Sequence, residues 1–281
     1  MLELSDISSG YGSTEVLHSV SVKVKEPAIY VILGPNGAGK TTMFRTIAGV
    51  LKPSRGNVTL EGKDLYQSSE LRHQIGYLSH YSALPEEMTV TKALGFYGGI
   101  EGGSAQAAID SLGLRELASK KVSDLSQGQK KRASIAKLFL RERKLYLLDE
   151  PTSNLDPVAA KEVRDKLLEI ARDRFVLYSS HNLYEAQEIG DYIILIKNGT
   201  IGFFGGKSEL KAGGYKVGIR ASADLTTLFP AGSKEREYFV ISVKGPDEVG
   251  EAVKKIVKSG ISIYEVKEMG NPLEDLFTVT P

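Results

Sequence analysis

The chain has 281 residues, of which 41% are hydrophobic and 25% charged, an ordinary globular mixture with enough apolar side chains for a sizeable core. A formal net charge of +1 excludes a bulk field that recruits nucleic acid or an anionic membrane, and the absence of cysteine excludes disulfides and thiolate metal sites. We find no signal peptide and no apolar run long enough to span a bilayer, so any role at a membrane is expected to act through a partner.

The N-terminal part of the chain predicts strands of two kinds. Some segments alternate apolar and polar residues, as half-buried antiparallel strands do, whereas Ile29–Leu33 is continuously apolar and is expected to be buried on both faces. Thr41–Leu51 predicts a helix that ends at Lys52-Pro53. The predicted strands are Leu2–Ile7, Val16–Val24, Ile29–Leu33, Asn57–Leu60 and Ile75–Leu78.

The middle of the chain alternates helices with buried strands, which predicts an α/β core with a parallel sheet. The glycine-rich stretch Gly98–Gly103 predicts a flexible break between two helices, and Asn198-Gly199 predicts a hairpin turn. The predicted helices are Thr91–Tyr97, Ala105–Leu112, Lys130–Leu140 and Pro157–Arg172, the last with Val163, Leu167, Leu168 and Ala171 on one face. The predicted strands are Leu145–Leu148, Phe175–Ser179, Tyr192–Ile196 and Ile201–Phe204.

The pattern changes near Ala212-Gly213-Gly214, where we predict a domain boundary. The predicted elements beyond it are the strands Lys216–Arg220, Tyr238–Val243 and Ile261–Val266, a short helix at Ala223–Phe229, and an amphipathic helix carrying Val249, Val253, Ile256 and Val257. This order predicts a small α+β domain of the ferredoxin-like kind.

A glycine-rich loop follows the first buried strand. Residues 34–41, GPNGAGKT, match the phosphate-loop pattern G-x-x-x-x-G-K-[ST]. Glycines let backbone N–H groups converge on phosphate oxygens, and Lys40 and Thr41 would bring a charge to the β and γ phosphates and a hydroxyl to magnesium. A plain glycine-rich turn is the alternative, but the strand before the loop and the helix after it favour a nucleotide site. Its predicted members are Gly34, Pro35, Asn36, Gly37, Ala38, Gly39, Lys40 and Thr41, with Lys40 also catalytic.

Polar residues follow the second and third buried strands. Leu145–Leu148 runs directly into Asp149 and Glu150, and in an open parallel sheet ligands bind at the carboxyl ends of the strands. We expect Asp149 to hold magnesium and Glu150 to polarise the attacking water. His181, at the end of the third buried strand, is placed to donate to the γ-phosphate. Strand ends are often acidic simply because the chain meets solvent there. These assignments therefore depend on the phosphate loop nearby.

Four motifs in order make the chain resemble the ATP-binding subunits of ABC transporters. They are GPNGAGKTT, LSQGQ, LYLLDE followed by PTSNLD, and SSH. The resemblance implies an α/β P-loop NTPase core with an antiparallel β subdomain and a helical subdomain. It implies an ABC-type ATP-binding domain at residues 1–212, with the helical subdomain at about 83–125, and leaves 213–281 as the small α+β domain.

The resemblance also implies a role for LSQGQ that acts between two subunits. In the family, Ser126 and Gly128 correspond to signature residues at a helix N-terminus that contact the γ-phosphate of ATP held by the other subunit, and Gln129 belongs to the same motif. Asp156 would lie near the interface between the two subunits and link the two nucleotide sites. A helix cap at Ser126 is a plainer alternative, and both roles are compatible.

Other positions carry the family pattern with departures. Tyr11 resembles the aromatic residue that stacks on adenine, with an exposed loop tyrosine as the alternative, and Thr42 matches the second phosphate-loop hydroxyl. Gln127 stands where the signature usually has glycine. His80 stands where the family usually has a glutamine that touches magnesium, so His80 is a predicted metal contact unless Gln74, or no residue, takes that role.

The resemblance implies an ATPase that dimerises around two ATP molecules and powers an integral-membrane permease from the cytoplasmic face. The expected partners are ATP, magnesium, the permease, and a second copy or a homologous ATPase subunit, with no nucleic acid. The ending Asn271–Phe277 resembles the S-L-E-D-x-F ending of a mostly exporting subgroup. A terminal amphipathic helix that packs on the small domain is the alternative, and both can be true. Two alternatives stay open: a soluble ABC-type ATPase acting on ribosomes or nucleic acid, and a nucleotide-gated regulatory module.

Overall fold

The chain divides into two compact units. The computed structural model describes residues 1–79, 84–207, 209, 215–243 and 246–269. One unit comprises Met1–Phe204 and the other Gly205–Pro281. The boundary predicted at residue 212 and the ending at residues 271–277 lie outside the described residues, so the domain division and the exporter-type ending stay predictions. In the described part of the chain, no helix has both the length and the apolar character needed to cross a membrane.

The described residues up to Gly206 form both strands and α-helices. The strands are β1 Leu2–Tyr11, β2 Thr14–Val24, β3 Ala28–Leu33, β4 Arg55–Leu60, β5 Lys63–Asp64, β6 Ile75–Leu78, β7 Leu145–Asp149, β8 Phe175–Ser180, β9 Tyr192–Lys197 and β10 Thr200–Gly206. The helices are α1 Lys40–Ile47, α2 Ser69–His73, α3 Val90–Glu101, α4 Ala105–Ser111, α5 Gln127–Leu138, α6 Pro157–Ile170 and α7 Leu183–Ile189.

A six-stranded sheet forms the centre of the first unit, in the order β10-β9-β3-β8-β7-β6. The neighbours from β9 to β6 pair in parallel, which confirms the predicted α/β core. Every residue of β3 and β7 is buried, because helices or the second sheet cover both faces of these strands. This burial explains why both segments are continuously apolar in the sequence.

A second, antiparallel sheet has the order β2-β1-β4-β5. Helix α1 contacts β1 and β2 of this sheet and β7 of the central sheet. Its side chains Met43, Phe44 and Ile47 are fully buried in the hydrophobic core that the two sheets share. Because α1 begins directly after the phosphate loop, this packing fixes the loop against the central sheet. Helices α3, α4 and α5 pack against one another as a separate helical group.

Two helix ends differ from the sequence prediction because of where glycines lie. Helix α1 ends at Ile47, before the predicted end at Leu51, since Gly49 adopts a left-handed φ of 73°. Helix α3 continues through Gly98 to Glu101, so the predicted break at this point is wrong. The Gly98 carbonyl accepts hydrogen bonds from the N–H groups of Gly102 and Gly103, and these two glycines end the helix.

The second unit contains an antiparallel four-stranded sheet. Its strands are β11 Tyr215–Ala221, β12 Ser233–Glu235, β13 Tyr238–Val243 and β14 Ile263–Met269, and α8 covers Pro246–Lys258. The order β12-β13-β11-β14 matches that of a ferredoxin-like sheet. The helix predicted at Ala223–Phe229 is wrong: these residues form turns around the buried Leu225. The ferredoxin-like assignment therefore stays a prediction.

Burial corrects two positions on predicted helix faces. Leu168, predicted on the buried face of α6, is exposed, while Val163 and Leu167 on the same helix are buried. Val257 of α8 is exposed, while Ile256 beside it is fully buried. Both corrections concern residues at the margin of an apolar stripe, where the helical period alone does not fix the limit of the contact.

Candidate functional site

Strand register brings three polar segments to one edge of the central sheet. Leu33 at the end of β3 pairs with Ser180 of β8, and Asp149 at the end of β7 pairs with Ser179 of β8. The chain therefore leaves all three parallel strands at the same level. The phosphate loop, the carboxylates after β7 and the histidine after β8 are brought together as predicted.

The phosphate loop has the backbone that its glycines predict. Gly37 and Gly39 have φ values of 80° and 108°, which side-chain-bearing residues rarely adopt. Gly34 has no room for a side chain, because a Cβ would lie 2.3 Å from the carbonyl oxygen of Ile196. Gly39 is also the N-cap of α1, and no side chain caps this helix end, so the first N–H groups of α1 face the loop.

Lys40 is held inside the loop. Its side chain is 6% exposed, and its ammonium donates to the carbonyl oxygens of Gly34 at 2.6 Å and Pro35 at 3.1 Å. Burial lowers the pKa of the Lys40 ammonium, and the charges of Glu150 and Asp149 oppose that shift. The ammonium thus lies where an anion bound in the loop would find a positive charge.

Asp149 is the centre of a short hydrogen-bonded chain. Its Oδ2 accepts from the Thr41 hydroxyl at 2.7 Å, and its Oδ1 accepts from the Ser179 hydroxyl at 2.7 Å. The Ser179 oxygen in turn accepts from the backbone N–H of Glu150 at 2.9 Å. Ser179 has no predicted role of its own, although its position in the SSH motif, two residues before His181, could have suggested one.

The oxygens of Thr41 and Asp149 fit a magnesium ion. Magnesium prefers hard oxygen ligands and commonly takes one or two from protein, the others coming from phosphates and water. Across the described residues, no cluster of three or more His, Cys, Asp and Glu side chains could hold a metal alone. A site made of one hydroxyl and one carboxylate agrees with a metal that arrives together with a nucleotide.

Glu150 and His181 face each other beside this chain. Glu150 Oε1 lies 3.4 Å from His181 Nδ1, and the Glu150 side chain is only 20% exposed, against 66% for His181. Glu150 has a φ of 48°, a left-handed backbone that is costly for a non-glycine residue and is held by the bond to Ser179. The Ser180 hydroxyl accepts from the N–H of Asn182, a bond that closes a turn around His181.

The LSQGQ motif forms the start of α5. The Ser126 hydroxyl accepts from the Gln129 N–H at 3.2 Å, and the Gln129 side chain accepts from the Ser126 N–H at 3.1 Å, a complete capping box. This cap is the plainer role proposed for Ser126. As an acceptor in this bond, the exposed hydroxyl keeps its own proton free to donate to an anion. Helix α5 begins at Gln127, before the predicted Lys130, because of this box.

Gly128 and Asp156 connect α5 with the loop after Glu150. A Cβ on Gly128 would lie 2.9 Å from the carbonyl oxygen of Asn154, so the two segments touch at this point. Asp156 caps α6 by accepting from the N–H groups of Ala159 and Val158, at 2.9 and 3.0 Å. These bonds, chiefly the one from Ala159, lower the pKa of Asp156. The role of Asp156 between two subunits stays a prediction.

The remaining predicted residues are Tyr11, Thr42, His80 and Gln74. The Tyr11 ring is exposed, and its hydroxyl accepts from Arg45 of α1 at 3.0 Å, which places the ring on the phosphate-loop side of β1. Thr42 is buried in α1. His80 lies outside the described residues. Gln74 precedes β6 and its carbonyl accepts from Lys144 and Leu145 at the start of β7. Gln74 therefore lies at the amino ends of the parallel strands, whereas Asp149 lies at their carboxyl ends, so Gln74 cannot replace His80.

Comparison with known proteins gives consistent matches. A family model described as ABC transporter matches residues 17–153. The chain is 36% identical over 218 residues to the uncharacterized ABC transporter ATP-binding protein YxlF of Bacillus subtilis (strain 168), covering 75% of this chain and 72% of that protein. It is 32% identical over 208 residues to the bacitracin transport ATP-binding protein BcrA of Bacillus licheniformis, covering 72% and 68%. A solved ATP-binding subunit of an ABC transporter matches with a TM-score of 0.69 and 29% identity, covering 75% of this chain and 92% of that chain.

Proposed function

Since the chain belongs to the ATP-binding proteins of ABC transporters, a family of ATPases, we propose that it hydrolyses ATP between two subunits to drive a membrane permease. The observation that carries the proposal is the meeting of Lys40, the Thr41–Asp149 pair and the Glu150–His181 pair at one sheet edge. The bacitracin-transport relative supports a transport role. We propose export as the direction because residues 271–277 resemble the S-L-E-D-x-F ending.

The residues of this edge divide the chemistry among themselves. The loop N–H groups and Lys40 would hold the β and γ phosphates. Thr41 and Asp149 would hold magnesium, which would supply positive charge to the phosphates. Glu150 accepts a proton from the attacking water or orients it, while His181 donates to the γ-phosphate. Catalysis in this arrangement comes mainly from positioning and charge stabilisation.

Dimerisation completes the site. Ser126 lies at a helix N-terminus and keeps a free hydroxyl proton, an arrangement that suits a phosphate oxygen. We propose that this N-terminus meets the γ-phosphate bound by the second subunit, and that the loop from Glu150 to Asp156 transmits the contact. Tyr11 then stacks on the adenine of the nucleotide in its own loop.

The permease is proposed to dock beside the helical group. A cavity of about 600 Å³ lies where the end of α3, the end of α2 and the start of β6 meet. Arg143, which lines it, pairs with Glu101 and donates to the backbone carbonyl of His73. The mixed charges of this cavity suit a polar cytoplasmic segment of a membrane protein.

The test of this proposal is Glu150→Gln. The amide keeps the size of the side chain but cannot accept the proton, so hydrolysis should fall by about a hundredfold or more while ATP still binds. Because the bound ATP is not consumed, the variant should accumulate as a dimer with magnesium and ATP. Phosphate release and size-exclusion chromatography with light scattering measure the two effects.

Two further variants serve as controls. Glu142→Gln changes a carboxylate that is 89% exposed and pairs with Arg174 at the surface, and should behave like the wild type. Lys40→Ala should lose nucleotide binding, which isothermal titration measures, and should stay monomeric. A Glu150→Gln protein that stays monomeric at saturating ATP would contradict the proposed dimer.

A further inference from the structure

Helix α5 connects the proposed contact with the partner subunit to the loop that follows Glu150. Its first residues form the capping box that presents Ser126, and Gly128 lies against the backbone of Asn154 in the loop after Glu150. Residues three apart share one face of a helix, so Lys131 follows Gly128 on the face that packs against this loop. Lys131 thus lies on the side of α5 that faces the loop after Glu150.

Lys131 is a buried cation without a hydrogen bond. Its side chain is 7% exposed, and its ammonium nitrogen has no hydrogen-bond partner in the described part of the chain. Burial lowers the pKa of Lys131, and the charges that oppose the shift are those of Asp149 and Glu150. Since an ammonium removed from water without hydrogen bonds destabilises a fold, local stability does not explain why lysine stands at this position.

Neighbouring lysines of α5 differ from Lys131 in this respect. The Lys130 ammonium lies 2.9 Å from Glu86 Oε1, in an ordinary ion pair. The Lys137 ammonium lies 4.4 Å from the centre of the Tyr97 ring, a cation–π contact. Lys131 has neither kind of partner among the described residues, and the carboxylates that act on it belong to the site.

We propose that Lys131 is a positioning residue whose ammonium holds the Asp149–Glu150 segment against helix α5. This inference rests on the proposed function. Helix α5 is proposed to meet the partner's nucleotide, and Glu150 acts on the chain's own nucleotide. Lys131 fixes the position of α5 relative to Glu150. A long-range attraction without a hydrogen bond holds the two parts together and still lets them shift when the dimer closes.

Lys131→Met tests the proposal, because methionine has a similar length and volume but no charge. Without nucleotide, the variant should melt about 2 °C or more above the wild type, since an incompletely compensated buried charge is removed. In steady-state kinetics, kcat should fall by about tenfold or more while KM stays within about threefold, since the phosphate loop is intact. Lys131→Arg keeps the charge and should recover most of the lost kcat.

The matched control is Lys130→Met, on the same helix turn, which should leave kcat and KM unchanged. A Lys131→Met protein with kcat within twofold of the wild type would overturn the proposal. So would a variant that melts lower, loses kcat, and is not rescued by arginine, since that pattern describes a packing role alone. A failure of the proposed function itself would appear in the wild type, as an absence of ATP hydrolysis, and the melting comparison without nucleotide would still test the buried charge.

Discussion

A single buried hydroxyl, that of Ser179, organises both carboxylates of the site. It donates to Asp149 and accepts from the backbone N–H of Glu150, so it uses both hydrogen-bonding capacities of a serine. The second of these bonds holds Glu150 in its left-handed backbone conformation. The position of the carboxylate that faces His181 is therefore set by a residue that contacts neither nucleotide nor water in the proposed mechanism.

At the residue scale, we predict the effect of Ser179→Ala. The change leaves one Asp149 oxygen and the Glu150 N–H without a partner inside the protein, which should lower the free energy of unfolding by about 1–3 kcal/mol. Hydrolysis should fall by about tenfold or more, because displacing a reacting group by about 1 Å can cost about a hundredfold in rate. Urea denaturation and phosphate release measure the two effects.

Ser111→Ala is the control for this prediction, because its hydroxyl donates to the carbonyl of Ala108 in the same helix, away from the site. It should change neither stability nor rate appreciably. A Ser179→Ala protein with the hydrolysis rate of the wild type would show that the hydroxyl does not position Glu150.

Helix α5 illustrates how one element serves both stability and recognition. Its N-terminus is closed by a reciprocal capping box, so the exposed Ser126 contributes to the helix whether or not a phosphate is present. The two roles can be separated, since aspartate caps helices as well as serine does but repels phosphate. A substitution that preserves the cap can therefore isolate recognition.

At the element scale, we predict that Ser126→Ala and Ser126→Asp affect stability differently and that both impair assembly, aspartate more than alanine. Alanine should destabilise the fold by about 1 kcal/mol through loss of the cap, whereas aspartate should leave stability unchanged. In the Glu150→Gln background, aspartate should abolish ATP-dependent dimerisation by charge repulsion and alanine should weaken it. Thermal melting and light scattering measure these outcomes.

Ser104→Ala provides the comparison, because Ser104 caps α4 through the N–H of Ala107. It should lose about as much stability as Ser126→Ala, by about 1 kcal/mol, without affecting dimerisation. If Ser126→Asp still formed the ATP dimer, the helix N-terminus would not meet a phosphate.

On the scale of the whole molecule, every described site residue belongs to the unit Met1–Phe204, while the second unit has its own sheet and its own hydrophobic core. A ligand that binds only one folded unit stabilises that unit by mass action. The two units are therefore expected to respond differently to nucleotide.

At this scale, we predict two calorimetric transitions for the Glu150→Gln protein. Magnesium and ATP at about a hundred times the dissociation constant should stabilise the first unit by about 2.7 kcal/mol, which raises its melting temperature by about 5 °C or more. The transition of the second unit should not move. A single transition that shifts as a whole would show that the units unfold together.

Comparison of particular elements shows where sequence patterns were sufficient. The parallel strands were predicted because complete burial leaves a continuous apolar run, and the hairpin at Asn198-Gly199 was predicted because both residues adopt positive φ. The glycines of α3 were misjudged because glycine permits a helix and its end equally well, and only the bonds to the Gly98 carbonyl decide between them. The start of α5 was predicted three residues late, at Lys130, because the apolar pattern begins there, although a cap at Ser126 was one of the predicted alternatives.

The sequence by itself determined the phosphate loop, the order of the motifs and the family. These features depend on backbone freedom, strand burial and local spacing, which residues close together in the sequence determine. Only the tertiary structure decided which side chains complete the site. Ser179 meets Asp149 across 30 positions of the chain, and Lys131 is buried near carboxylates of another element. Such contacts depend on strand register and on how a helix packs. The register of β6 and β7 also places Gln74 beside the start of β7, far from Asp149 at its end, so Gln74 cannot bind the metal.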